Sequence, residues 1–269
     1  MKSKATLGIV LSALLLGVWA VAPALSAGAE ETIRYSCSNQ IYEALEKEKI
    51  DMFTKATGIK VEVVRASSGS AAYRLTTGNC DLASTARKLY EGHEMYGYKE
   101  IAFCKDPLAV IAKKECGVES LTEEQLQDIF AGDITNWKQV GGADLPIMVI
   151  VPDKDTAAHK NFRRQVMKHK DIQYEFMAYN STMVIDAIRH FPCGAISFIS
   201  GGATMHYGEL KAFKINGMGP TDSKYPYYQV FYYVTKGEPE GNVKKFIDFT
   251  FSEQGAKIIK KDGMLPLTK

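Results

Sequence analysis

The sequence predicts an α/β protein of two lobes joined by two interdomain crossings. Three observations carry this. The chain opens on an alternating β-α-β-α-β order, the pattern of a sheet with helices packed on its faces. Two long extended stretches, 98–114 and 224–237, flank a middle block that is itself α/β in character. Internal repeats and low-complexity tracts are absent, which excludes solenoids and propellers. The expected division is a discontinuous first lobe, 30–108 with 225–269, and an inserted second lobe, 109–224.

In chain order, residues 32–38 (TIRYSCS) read as a first strand. Residues 39–58 follow with helical periodicity through Ile41, Leu45, Ile50 and Phe53, and Gly58 stops the helix. Residues 59–66 alternate as a second strand. A short helix follows, with Ser68 or Ser70 as its cap, and CDLAST (80–85) is a third strand. Beyond the first extended stretch, residues 120–132 begin with a hydroxyl cap and end at Gly132. LPIMVIVP (145–152) is an apolar strand, and a helix starts at Asp155 or Thr156. Another helix runs from Thr182 to a stop at Pro192, and GAISFIS (194–200) is a buried strand. Two helices after the second extended stretch complete the chain.

The N-terminus carries an address. Lys2 and Lys4 precede an uncharged apolar run, Leu7 to Ala22, and Ala27-Gly28-Ala29 offers an A-x-A cleavage site. Residues 1–29 therefore read as a cleaved signal peptide; the apolar run is short for a membrane span. Removing them leaves 31 basic and 31 acidic residues. That balance disfavours a nucleic-acid surface. Five cysteines, Cys37, Cys80, Cys104, Cys116 and Cys193, show no CxxC spacing. In an exported protein some could pair, and buried free thiols are the alternative.

Catalytic templates find no match. Ser68 lies in SSGSA, which lacks the G-x-S-x-G spacing of a nucleophile elbow, and the five histidines show no paired-ligand spacing. No catalytic residue, metal or cofactor is expected; an exported serine hydrolase using Ser68 or Ser84 is the alternative of another class. Hydroxyl-rich strand-to-helix junctions point instead to anion binding, because helix N-termini present unpaired N–H groups and a partial positive charge. These junctions are Ser36 to Gln40, including Ser38 and Asn39; Ser68-Gly69-Ser70; Ser84-Thr85; Asp155-Thr156-Ala157; and Ser181-Thr182. Taken singly each reads as an ordinary cap, but together they line the sheet edge where ligands bind.

The segment SLTEEQLQDIFAGDITNWKQVGGADLPIMVIVPDKDT resembles the hallmark of the phosphate-binding proteins of bacterial ABC importers. Asp128-Ile129-Phe130, Gly132, Ile134-Thr135-Asn136-Trp137, Gly141-Gly142 and Leu145-Pro146-Ile147 fit in register. SSGS…TTGNCDLASTAR, YNSTMVIDAI…PCGAISFIS and KYPYYQVFYYVTKG extend the likeness over nearly all of the mature chain. The resemblance implies a two-lobe periplasmic-binding-protein fold that captures phosphate, or a similar oxyanion, by hinge closure. It further implies a monomer in the periplasm, delivery to a membrane ABC permease, and no nucleic-acid partner. A ligand-sensing role beside a membrane signalling protein is the other use of such a receptor.

Carried over by position, the resemblance implies that Ser68, with the Gly69 and Ser70 amides, holds ligand oxygens from the first lobe. Ser84 and Thr85 match a family pair in which some members place an aspartate acceptor. Arg87 matches an arginine that either closes on the anion or forms a salt bridge on the cleft wall. In the second lobe Thr156 keeps a hydroxyl, Ala157 continues the helix start and Ser181 lines the cleft. The family's arginine falls on Pro152, so that bidentate donor is missing, with Lys154 as the nearest substitute charge. Asp155 would repel an anion unless it faces away.

Overall fold

A computed structural model describes residues 32–191, 194–204 and 207–269, without the side chains of Ser181 and Ala203. The expected signal peptide and Cys193 lie outside the described residues. Strand β1 (Ile33–Ser38) leads into a helical run made of α1 (Asn39–Ile41), a π-turn over Tyr42–Glu46, and α2 (Lys47–Thr57). Gly58 ends it in the left-handed region at φ 73°, where a residue without Cβ is favoured. Then come β2 (Val61–Ala66), α3 (Ser68–Thr76) and β3 (Leu82–Thr85). The cap of α3 is Ser67, not Ser68 or Ser70. Its hydroxyl accepts from the Ser70 amide, which shifts the helix start one residue earlier than the hydroxyl run suggests.

The first extended stretch is β4 (Tyr98–Lys113). The second lobe contains β5 (Ser120–Leu121), α4 (Glu123–Ala131), β6 (Met148–Pro152), α5 (Ala157–Gln165), β7 (Phe176–Ala178) and α6 (Ser181–His190). It continues with β8 (Ala195–Ser200), α7 (Gly201–Thr204), β9 (Leu210–Ala212) and β10 (Lys214–Ile215). The chain returns through β11 (Tyr228–Lys236) and ends with α8 (Gly241–Thr250), α9 (Glu253–Lys261) and β12 (Leu265–Pro266).

The main sheet runs β2-β1-β3-β11-β4-β8-β6-β7. Two parallel blocks, β2-β1-β3 and β8-β6-β7, are joined by β11 and β4, which pair antiparallel with each other. β4 crosses between the lobes: residues 98–107 pair with β11, and Leu108–Ala112 pair with β8. The α/β fold with crossing strands is as expected, and the crossings make the sheet mixed.

Each lobe has its own core. In the first, Tyr35, Phe53, Phe103, Tyr233 and Phe246 pack together, with Phe103 stacked on Tyr233 at 4.2 Å between ring centroids. In the second, Phe162 stacks on Phe198 at 3.8 Å, beside Phe130. The hallmark segment supports this second core. Trp137 is fully buried and its indole N–H donates to the Gly194 carbonyl at 3.0 Å. A Cβ on Gly142 would stand 2.7 Å from Val118, so only glycine fits there. Cys37, Cys80, Cys104 and Cys116 are free and buried. Burial pushes the Cys37 thiol up to about 12, so it is inert as a nucleophile.

Candidate functional site

The carboxyl ends of β1 and β3 and the start of α3 form one wall of the interlobe site. The Ser38 amide donates to Ser84 Oγ at 3.3 Å. Ser68 Oγ accepts from the Ala86 amide at 3.1 Å and donates to Ser38 Oγ at 3.4 Å. Ser38, Ser68, Ser84 and Thr85 are all buried, and Ser84 Oγ donates to Cys37 Sγ at 3.4 Å, so these hydroxyls are held by protein groups. Thr85 Oγ1 donates to the Arg87 carbonyl at 2.7 Å, which commits its proton and leaves only lone pairs to offer. Asn39 is half-buried as the first residue of the helical run.

At the α3 start, the Ser70 amide and hydroxyl are both engaged by Ser67, at 3.1 and 3.0 Å. The Ser68 and Gly69 amides are the open donors of that first turn. Arg87 leans over it, since a Cβ on Gly69 would lie 3.7 Å from Arg87 Nη2. Arg87 also covers the Tyr90 ring at 5.1 Å and makes no salt bridge among the described residues.

The facing wall is the start of α5. Thr156 caps the helix: its hydroxyl donates to the Asp153 carbonyl at 2.7 Å and accepts from the His159 amide at 3.2 Å. The Ala157 and Ala158 amides remain open. Ala157 packs into the first lobe's core cluster, so this helix end meets the opposite lobe. Asn161 completes the junction, donating to the Ala86 carbonyl at 3.2 Å and to Gln229 Oε1 at 3.3 Å. The backbone of Ala86 is thereby tied to Ser68 through its N–H and to α5 through its carbonyl. Asp155 points outward, its carboxylate 3.0 Å from Lys160. The Pro152 carbonyl faces His159 Nδ1 at 2.9 Å, so Nδ1 carries the proton; burial lowers the His159 pKa and favours the neutral ring.

Ser181 opens α6 behind its cap Asn180, and the neighbouring Thr182 donates to Glu43 of the first lobe at 3.0 Å. Ser38, Ser68 and Ser84 thus form one network, while Ser70 is engaged by the Ser67 cap and the Thr156 hydroxyl is itself a cap.

A family model described as the PBP superfamily domain matches residues 22–254. The chain belongs to the PBP superfamily. It is 28% identical over 200 residues to the phosphate-binding protein PstS of Borreliella burgdorferi, covering 68% of this chain and 71% of that protein. It is 27% identical over 167 residues to PstS of Bacillus subtilis, covering 60% of this chain and 55% of that protein. Among solved structures, it matches a phosphate ABC transporter substrate-binding protein with bound phosphate from Clostridium perfringens. The TM-score is 0.77 at 24% identity, over 88% of this chain and all of that one. An ABC-type phosphate transport receptor from Vibrio cholerae matches with a TM-score of 0.69 at 25% identity, over 87% of this chain and 99% of that one. The family resemblance read from the sequence is borne out.

In this PBP-superfamily protein, three interior polar residues join the site that residue patterns alone did not single out. Asn161 is one; its signal was a polar residue on the otherwise apolar α5 face of Ala157, Ala158 and Phe162. Gln229, on β11, links Asn161 to the third, Asp106 on β4, donating to its carboxylate at 2.6 Å. Asp106 also accepts from the Gly202 amide at 3.0 Å. Burial pushes the Asp106 carboxyl up to about 6, against the hydrogen bonds that favour its charged form.

Proposed function

We propose that this chain is an extracytoplasmic solute-binding protein that captures phosphate between its lobes and delivers it to an ABC permease. The observation that carries this reading is the meeting of two helix starts from opposite lobes at Ala86, with open amides at Ser68, Gly69, Ala157 and Ala158. Such ends hold an oxyanion through neutral donors and aligned peptide dipoles, without a full positive charge. The names of the relatives support phosphate as the cargo. Lobes of 30–108 with 225–269, and of 109–224, close about the crossing strands, and the closed form presents a different surface to the permease. The chain acts as a monomeric binding protein and not as an enzyme; its buried serines face one another and no histidine base reaches them among the described residues. Its export rests on the signal peptide.

Thr85 gives the site its selectivity. With its proton held by the Arg87 carbonyl, the hydroxyl oxygen accepts a hydrogen bond from a protonated phosphate, as the aspartate of other family members would. Sulfate and molybdate have no proton to offer at neutral pH. The test is calorimetric titration of the ligand-free protein with phosphate, sulfate and molybdate, with a parallel assay of phosphate-ester hydrolysis. Phosphate should bind at one equivalent, sulfate and molybdate far more weakly, and esters should survive. Tight sulfate or molybdate binding without phosphate binding overturns the cargo; hydrolysis abolished by Ser68→Ala overturns the binding-protein reading.

A further inference from the structure

Two side-chain contacts tie the lobes together on opposite faces of the crossing strands. On one face Asn161 of α5 donates to the Ala86 carbonyl at 3.2 Å, beside the start of α3. On the other face the Thr182 hydroxyl of α6 donates to Glu43 Oε1 at 3.0 Å. The alternation of β8 separates these faces: Phe198 stacks on Phe162 of α5, and Ile199 packs in the cluster that holds Val184, Ile185 and Ile188 of α6. The Glu43 contact borders a small pocket of about 210 Å³ that both lobes form, with Tyr42, Lys47 and Arg65 from the first and Tyr207 from the second.

The first lobe holds Glu43 in place for this contact. Glu43 stands on the π-turn Tyr42–Glu46, where the wider helical turn re-aims the side chains. Glu46, three residues on, turns inward to Lys49 at 2.6 Å, while Glu43 reaches toward the other lobe and is 16% exposed. Arg65 of β2 donates to Glu43 Oε1 at 2.7 Å, and its guanidinium lies 4.9 Å from the centre of the Tyr42 ring. Across the lobes, α6 has no acidic residue in its own first turn, so the Glu43 carboxylate supplies negative charge beside that positive helix end.

The Arg65–Glu43 pair is internal to one lobe. It persists whether the lobes are together or apart, so it cannot favour either form. The Thr182 hydrogen bond exists only while the lobes meet, and an interaction made in one state alone shifts the equilibrium toward that state. We propose that Glu43 is a positioning residue that latches Thr182 in the closed form and lengthens the time for which phosphate is held. Arg65 aims the carboxylate, and Thr182 is its catch. The latch rests on the phosphate-capture reading and adds to it a residue that does not touch the anion. A contact formed on closure acts on release more than on capture.

The test follows the release of labelled phosphate from the exported protein, chased with excess unlabelled phosphate. Thr182→Val, Thr182→Ser, Glu43→Ala and the Thr182→Val/Glu43→Ala pair are run in parallel. Thr182 is exposed, and retained one-to-one phosphate binding shows that each variant folds. Thr182→Val should release phosphate about three- to tenfold faster, with the association rate kept, and Thr182→Ser should restore slow release. Glu43→Ala should release at least as fast as Thr182→Val, and adding Thr182→Val to it should change nothing further, because its partner is already gone. Unchanged release from Thr182→Val, or a further acceleration in the pair, overturns the latch and leaves phosphate capture standing. An unaltered chain that binds no phosphate overturns both.

Discussion

The two lobes place their polar groups differently. The second lobe's core is built on aromatic rings: Phe162 of α5 packs against Phe130 and Phe198, and the Trp137 indole has its one donor satisfied. The first lobe buries charge and hydroxyls. Lys49, fully buried, donates to Glu46 at 2.6 Å and to the Tyr233 hydroxyl, and sits 4.5 Å from the centre of the Phe246 ring. Ser38, Ser68 and Ser84 continue that polar interior to the cleft. At the site both lobes offer open helix amides, and the first lobe adds a network of buried hydroxyls. The first wall is held by its own side-chain hydrogen bonds, and the second is tied to it at Ala86 through Asn161.

Breaking the buried pair should have the largest effect. Lys49→Met leaves Glu46 without its positive partner, held only by the Tyr233 hydroxyl at 3.0 Å, and should cost about 3–5 kcal/mol in urea unfolding. A double variant that also replaces Glu46 with Leu should recover most of the loss, because an apolar pair of similar volume needs no compensation. An equal loss in both variants would mean that the cluster holds the fold by shape rather than charge.

Asp106, where the lobes join, should give the next effect. Its native pKa of about 6 exceeds the unfolded value of about 4. Between those values the native protein keeps a proton that the unfolded chain has lost. Stability therefore falls as pH rises through the window and levels off above it. The gap corresponds to about 3 kcal/mol. In Asp106→Asn this slope should vanish from unfolding curves taken between pH 4 and 7; an unchanged slope would assign it to another group.

Much of the fold was legible. Periodicity located the major helices, and the hallmark segment reads correctly because Gly132, Asn136, Trp137 and Gly142 have structural jobs. Gly132 ends α4 at φ 85°, and Asn136 caps the turn that buries Trp137. From Gly132 to Gly142 the hallmark therefore reports the second core. The short strand β7 was missed because three residues carry no period. The site was half legible. Ser38, Ser68 and Ser84 stood out as hydroxyls at strand and helix ends. The Asn161–Gln229–Asp106 chain did not, because its members lie 68 and 123 residues apart and only the crossing strands bring them together. Local pattern also cannot separate a cap from a ligand donor: Ser67 and Thr156 are both used as caps.

The smallest effect is expected at the Thr156 cap. Thr156→Ala removes a helix cap and should cost about 1 kcal/mol of stability, while phosphate affinity changes little. Thr156→Ser should restore the stability. A large affinity loss in Thr156→Ala would make the second wall a hydroxyl donor as well, and erase the contrast between the lobes.

On the proposed reading, phosphate sits against the first-lobe network at the start of α3. Calorimetric titration of Ser68→Ala with phosphate tests it most directly. The substitution removes the hydroxyl that holds the Ala86 amide, and the predicted result is a loss of roughly 1–3 kcal/mol in binding free energy with the one-to-one stoichiometry kept. Unchanged phosphate affinity in a folded Ser68→Ala protein would contradict the account and place the anion elsewhere.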